Sequence, residues 1–194
     1  SCLTKISPIV ILIGLTCFSL IGVYAYYTFN TNFLGLVGPD FSEYIVIGSY
    51  EGFSDSGTHT WKITYEYEDL SVFEGVVRKV YPIRENSFPI LTHDILVTTG
   101  DYANEKLVDV SVFHHRFRWS SQKQPPLGTI NLLHTVPMNN DIYEELLSIK
   151  TNDTVKITGR EILRIDAMNK GDSTGWWEDD GCNTMIVTDV EIIK

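Results

Sequence analysis

An uninterrupted apolar run lies near the start of the sequence. The 22 residues from Ile6 to Tyr27 contain no charged side chain, and as a helix they would be about 33 Å long. The hydrocarbon core of a bilayer is about 30 Å thick, and tyrosines such as Tyr24 and Tyr26 are typical of its interface. The pattern predicts an uncleaved transmembrane anchor over residues 1–29.

The charges beside this run predict its orientation. Lys5 precedes it, no further lysine or arginine occurs before Lys62, and the stretch between them carries acidic residues. Because basic flanks stay on the cytoplasmic side, we expect a single-pass protein with a cytoplasmic N-terminus and an extracytoplasmic C-terminal domain. A cleaved signal peptide is the alternative, since Val23-Tyr24-Ala25 resembles a cleavage site.

From residue 30 onward the apolar positions are spread along the chain. Residues 30–60 are rich in Gly, Ser, Asn and Thr and predict a spacer, with one candidate strand at Tyr44–Ile47. From Trp61 the apolar residues alternate with polar ones, as in half-buried β-strands. The predicted strands are Trp61–Tyr67, Val72–Ile83, Leu91–Thr99, Lys106–Trp119, Ile130–Val136, Thr154–Ile165 and Thr184–Ile193.

One segment has the helical period instead. Ile142, Leu146 and Ile149 recur at i, i+4 and i+7, and Asp141 precedes them as a candidate N-cap. Strands before this helix and two strands after it fit the order of an OB-fold, whose helix lies between the third and fourth strands of its barrel. The sequence therefore predicts a mainly β domain over residues 61–194, an OB-like five-stranded Greek-key barrel with one α-helix.

Charge and motifs narrow the function classes. The chain has 25 acidic and 15 basic residues and a net charge of −10, which excludes a basic nucleic-acid binder, so we expect no nucleic-acid partner. The sequence contains no G-x-S-x-G, H-E-x-x-H, P-loop or paired C-x-x-C motif, so we expect no enzyme activity. Cys182 is the only cysteine beyond the apolar run, which rules out a disulfide within the domain.

Two groups of residues are candidate metal ligands. His114 or His115 can form a two-histidine site together with His93 or His134. As neighbours on a predicted strand, His114 and His115 would point to opposite faces and would not both bind one ion. The second group is in the loop at residues 176–182, where the carboxylates of Asp179 and Asp180 are candidate Ca²⁺ ligands.

Arginines and tryptophans supply the candidate interaction residues. Arg116 and Arg118 share one face of their predicted strand, where two guanidinium groups can meet an anion. Because tryptophan is enriched at protein interfaces, three tryptophans are further candidate interaction residues: Trp119, Trp176 and Trp177. If the domain binds a ligand, we expect the site where the strand carrying His114 and His115 approaches the loop at residues 176–182.

Several segments carry a resemblance to a known family. Residues 70–194 resemble an uncharacterised family of single-pass membrane-anchored bacterial proteins with an OB-like β-barrel head. The matching segments are 91–101, 117–119, 134–137, 149–159 and 176–191. This resemblance implies an architecture and no chemistry.

Residues 141–147 resemble the helix before the fourth strand in the haem chaperone of cytochrome c maturation, which also has one membrane helix and an OB barrel. In that family a histidine of the C-terminal region attaches haem, whereas the last histidine here is His134. We therefore expect no cofactor.

These observations favour a non-catalytic, membrane-tethered subunit that contributes contacts to a larger complex. Its expected partners are the membrane and other protein subunits. Two alternatives remain. One is a pilin-like filament subunit with an apolar N-terminal helix and a β-rich head, and the other is a metal- or ligand-binding OB module.

Overall fold

The structure is a computed structural model that describes residues 40–47, 50–55, 58–122, 125–178 and 181–193. All of them belong to the second of two compact units of the chain, Asp40–Lys194. The predicted anchor at residues 1–29 lies outside the described residues, as do Asp179 and Asp180. The described part of the chain contains no helix of the length and apolar character that crossing a bilayer requires.

The described chain is mainly β, with one α-helix, which confirms the predicted class. Its strands are β1 (Tyr44–Ile47), β2 (Tyr50–Ser54), β3 (His59–Tyr65), β4 (Ser71–Pro82), β5 (His93–Thr98), β6 (Val108–Phe113), β7 (Arg116–Ser121), β8 (Ile130–Pro137), β9 (Thr154–Asn169), β10 (Asp172–Glu178) and β11 (Asn183–Ile193). The helix is α1 (Asn140–Ser148), and its N-cap is Asn139, whose side chain accepts from the amide of Ile142, in place of the predicted Asp141.

Five strands pair in a closed ring in the order β4, β5, β8, β11, β9 and back to β4. β8 and β11 are parallel, and the other neighbours in the ring are antiparallel. The inward side chains of all five strands form one buried cluster, which includes Ile95, Leu133 and Ile157. Helix α1 adds Ile142 and Leu146 to this cluster, so the apolar stripe read from the sequence is the face that α1 buries.

The second half of β9 leaves the ring and joins an outer sheet. There β9 pairs with β3 on one side and β10 on the other, and β3 continues to β2 and β1. Phe41, Phe53 and Ile63 pack with ring residues in a second buried cluster. Residues 40–47, 50–55 and 58–60, which the sequence assigned to a spacer, are thus part of the folded unit.

A hairpin replaces one predicted strand. The prediction of a continuous strand at Lys106–Trp119 is wrong, because His114 and His115 have φ of 48° and 58° and reverse the chain between β6 and β7. Two consecutive residues with positive φ are the mark of a type I′ turn. The third strand of the ring is therefore β8. The β6–β7 hairpin packs Val108 and Val110 on the outer surface of the ring.

The positive φ of His114 in this turn predicts how substitutions at this position change the free energy of unfolding. His114→Val is expected to lower the free energy of unfolding by about 1–2 kcal/mol, because a β-branched residue tolerates positive φ poorly. His114→Asn is the matched control and should leave the stability unchanged or raise it, since asparagine favours this turn. Urea unfolding followed by circular dichroism measures both. Equal midpoints for the two variants would contradict the assigned turn.

Candidate metal centre

Three ring strands align a row of polar residues on the outer surface of the ring. Asp94 of β5 pairs in register with His134 of β8, which pairs in register with Thr184 of β11. Their neighbours along the strands, such as Ile95 and Leu133, point into the ring, so the three polar side chains point away from it. All three are nevertheless buried.

The turn of the β6–β7 hairpin brings His115 over this row. The Asp94 carboxylate lies between two imidazoles, with Oδ1 2.6 Å from Nδ1 of His134 and Oδ2 2.9 Å from Nδ1 of His115. One ligand atom from each of the three residues lies within 4.8 Å of the others. We call Asp94, His115 and His134 the His–Asp–His cluster.

Glu85 contacts the second nitrogen of His115. Its Oε1 lies 3.3 Å from His115 Nε2, so both ring nitrogens of His115 face carboxylate oxygens. A neutral imidazole carries only one N–H, and its other nitrogen carries a lone pair that accepts hydrogen bonds. A metal ion beside Nδ1, with Glu85 accepting the Nε2 proton, satisfies both contacts. This arrangement is the common one for metal-bound histidines.

Hydrogen bonds hold the hairpin against the ring. Arg78 of β4 is buried and donates from Nη2 to the carbonyl oxygen of Val108 at 3.1 Å. Its Nη1 donates to the carbonyl oxygen of Tyr102, just before the hairpin. At the other end, the thiol of Cys182 donates to the carbonyl oxygen of His115 at 3.6 Å. The backbone that carries His115 is thus anchored from two sides.

Trp177 of β10 forms a wall of the cluster. Its ring meets His115 at 5.3 Å and His134 at 5.5 Å between centroids, both nearly edge to face. Its Nε1 donates to the hydroxyl of Thr184 at 3.0 Å, which fixes the indole in place. Trp177 was expected at an interaction surface, but the structure places its ring against the two imidazoles.

A pocket of about 210 Å³ opens beside the cluster. We call it the Trp177 pocket, and its lining residues are His114, His115, Arg116, His134, Trp177, Glu178 and Cys182. The structure therefore brings residues 114–116 next to Trp177, Glu178 and Cys182. A ligand site at this position stays a prediction.

The remaining histidines do not join the cluster. His114 is exposed in the turn, and its ring lies 4.0 Å from that of Phe113. His114 and His115 therefore point apart because they lie in a turn, and not because they occupy opposite faces of a strand as predicted. His93 precedes Asp94 on β5 and therefore points the other way, against Tyr143. Burial lowers the pKa of His93 to about 4, although the charge of Asp94 opposes this shift.

The other predicted interaction residues lie apart from the cluster. Arg118 is exposed on the hairpin, on the same face as Arg116. Trp119 is on the opposite face, 40% exposed, with its ring edge-on to Tyr102 at 5.4 Å. Trp176 is 60% exposed, and the guanidinium of Arg164 lies 5.3 Å from its ring. Only Arg116 and Trp177 of this group line the Trp177 pocket.

Sequence reasoning did not single out Asp94 or Glu85. Asp94 carried a signal, because it stands in the predicted apolar strand Leu91–Thr99, and in the structure every residue from His93 to Thr98 is buried. A carboxylate in a fully buried strand is rare unless it is paired or bound to a metal. Glu85 is exposed in a loop, and nothing in its sequence neighbourhood marks it.

No family model, curated protein or solved structure matches the chain. The resemblance of residues 70–194 to membrane-anchored proteins with an OB-like head stays a prediction.

Proposed function

We propose that this domain binds a divalent transition-metal ion through Asp94, His115 and His134. The observation that carries the proposal is the convergence of two imidazole nitrogens on the two oxygens of one buried carboxylate. Nδ1–H groups that donate to the carboxylate satisfy these contacts without a metal, and a cation bound jointly by the two nitrogens and the carboxylate satisfies them as well. The ring supplies two of the ligands on neighbouring strands, and the hairpin supplies the third.

The donor set favours Zn²⁺ or a similar ion. Two imidazoles and one carboxylate are borderline ligands that suit Zn²⁺ and Fe²⁺, and they do not suit Ca²⁺ or Mg²⁺, which prefer oxygen alone. Three protein ligands leave a coordination position open, as in zinc sites that bind an exchangeable ligand. Glu85 supports the site from outside, because its carboxylate orients His115.

We further propose that the ring is an OB-type barrel. Five strands in the order 1-2-3-5-4-1, with a parallel pair between the third and fifth and a helix between the third and fourth, support this assignment. In such barrels strands two and three are a common binding face. Asp94 and His134 stand on the corresponding strands, β5 and β8.

The proposed location rests on the sequence alone. The uncharged run from Ile6 to Tyr27 supports a single membrane anchor, and Lys5 before it supports a cytoplasmic N-terminus. On this proposal the metal-binding domain is extracytoplasmic and tethered to the membrane.

Calorimetric titration of the 194-residue chain in detergent with Zn²⁺ tests the metal site. We expect one ion per chain, and we expect His134→Ala to abolish this binding because it removes a buried ligand. His59→Ala is the matched control, since His59 also contacts a carboxylate, that of Asp55, but lies outside the cluster. Equal binding by wild type and His134→Ala would refute the proposed site.

Exposed aromatic residues favour a second candidate function, a subunit of a larger complex. Trp176 and Phe113 are 60% and 75% exposed, and such side chains are enriched at interfaces. Native sizing after detergent extraction is the test. A defined larger complex supports this candidate, sedimentation without detergent supports the pilin-like alternative, and a monomer contradicts both.

A further inference from the structure

We propose that the metal ion held by the His–Asp–His cluster takes a small oxyanion, a carboxylate or phosphate group, as its exchangeable ligand in the Trp177 pocket. This inference rests on the proposed metal binding. A divalent ion with three protein ligands completes its coordination with water or with a ligand from solution. An anionic oxygen is the stronger competitor for that position, because it adds charge attraction to coordination.

The position and size of the Trp177 pocket favour a small ligand. Two of the three proposed metal ligands, His115 and His134, line it, so a molecule in the pocket lies directly beside the metal site. Its volume of about 210 Å³ is below the range of about 300–1,000 Å³ that is typical of pockets for drug-sized molecules. A phosphate group or a short carboxylic acid has a suitable size.

The charges around the pocket favour an anion. The chain as a whole carries −10, so any attraction for an anion must be local. Arg116 lines the pocket beside the proposed ion, and guanidinium groups bind carboxylate and phosphate with two parallel hydrogen bonds. The opposing charges are those of Glu178 in the pocket lining and of Asp94 and Glu85 beside the proposed ion. Glu178 Oε1 accepts a hydrogen bond from Arg164 Nη1 at 3.1 Å, and the double positive charge of the ion offsets the charges of Asp94 and Glu85.

Trp177 strengthens these interactions by excluding water. Its indole is fixed by the hydrogen bond to Thr184 and covers both imidazoles. Charges separated from water by such a wall attract one another more strongly than they do in solution. Arg116 lines the pocket and is exposed to solvent, so an anion can reach the pocket beside it.

Cobalt substitution tests this inference separately from metal binding. The 194-residue chain is loaded with Co²⁺ in detergent, and its visible absorption is followed while phosphate and acetate are added in separate titrations. We expect at least one anion to shift the spectrum with saturation. Arg116→Gln should bind that anion about tenfold more weakly at unchanged Co²⁺ affinity. Arg118→Gln is the matched control, because Arg118 lies on the same face of β7 but does not line the pocket.

The results separate the two proposals. A chain that binds no Co²⁺ contradicts the metal site itself. A chain that binds Co²⁺ with a spectrum unaffected by either anion overturns the present inference and leaves the metal site standing. Equal anion affinities for Arg116→Gln and Arg118→Gln also overturn it, because the anion would then reach the metal from outside the Trp177 pocket.

Discussion

Replacing Asp94 with asparagine is expected to weaken Zn²⁺ binding by about 100-fold or more while the domain stays folded. Changes outside the ligand set commonly cost about 10- to 100-fold in metal affinity, and Asp94 is the only anionic ligand of the cluster. An amide keeps the shape of the carboxylate but lacks its charge. Its oxygen accepts from one imidazole, and its NH₂ donates to the other in the alternative tautomer.

Asp109→Asn is the matched control for this variant. Asp109 is also a strand carboxylate, but it is exposed on β6 and belongs to no metal-ligating group among the described residues. Zn²⁺ titration and thermal unfolding of the three proteins separate binding from folding. An Asp94→Asn protein that unfolds at the wild-type temperature and still binds Zn²⁺ with wild-type affinity would show that the cluster is only a hydrogen-bonded one.

Local pattern was sufficient to predict the mainly β class and the helix. The period of α1 survives in the structure because its apolar stripe, with Ile142 and Leu146, is the face buried in the ring. The alternation that predicted the strands survives for the same reason, since one face of each ring strand is inward. What these patterns share is that a single large cluster buries them.

The sequence did not reveal the hairpin, because the residues on both sides of its turn have the composition of one continuous strand. Val108 and Val110 face the ring before the turn, and Phe117 and Trp119 share that face after it, so the positions on this face change from even to odd numbers. A continuous strand would keep one parity. That change was the available signal, but histidine at two positions of positive φ is uncommon and does not mark a turn as Asn-Gly does.

The His–Asp–His cluster was predicted only in part because it is a tertiary arrangement. His115 and His134 were candidates, and the meeting of their segments near Trp177 was expected, but Asp94 is separated from His134 by 40 positions. Only the pairing of β5 with β8 puts the two side chains next to each other. The strand register, which the sequence does not reveal, therefore determines the composition of the site.

Gly159→Ala is expected to have the largest effect on the fold. Gly159 lies on β9 and pairs with Ser71 of β4 on one side and Val187 of β11 on the other, so it stands where the ring closes. A Cβ there would lie 2.0 Å from the carbonyl oxygen of Ile186, a backbone atom that cannot move without breaking the ring. We expect a loss of about 3 kcal/mol or more in the free energy of unfolding, a large part of the stability of an ordinary domain.

Gly175→Ala is the matched control for the closure of the ring. Gly175 is also a strand glycine, on β10, but an added Cβ would meet only the Phe88 ring, at 3.9 Å. Urea unfolding followed by circular dichroism should therefore give a wild-type midpoint for Gly175→Ala. For Gly159→Ala it should give a strongly lowered midpoint or no soluble protein. Equal midpoints for the two variants would mean that β9 and β11 do not approach each other as closely as the closed ring requires. The arrangement of the ring strands that carry Asp94 and His134 would then also be wrong.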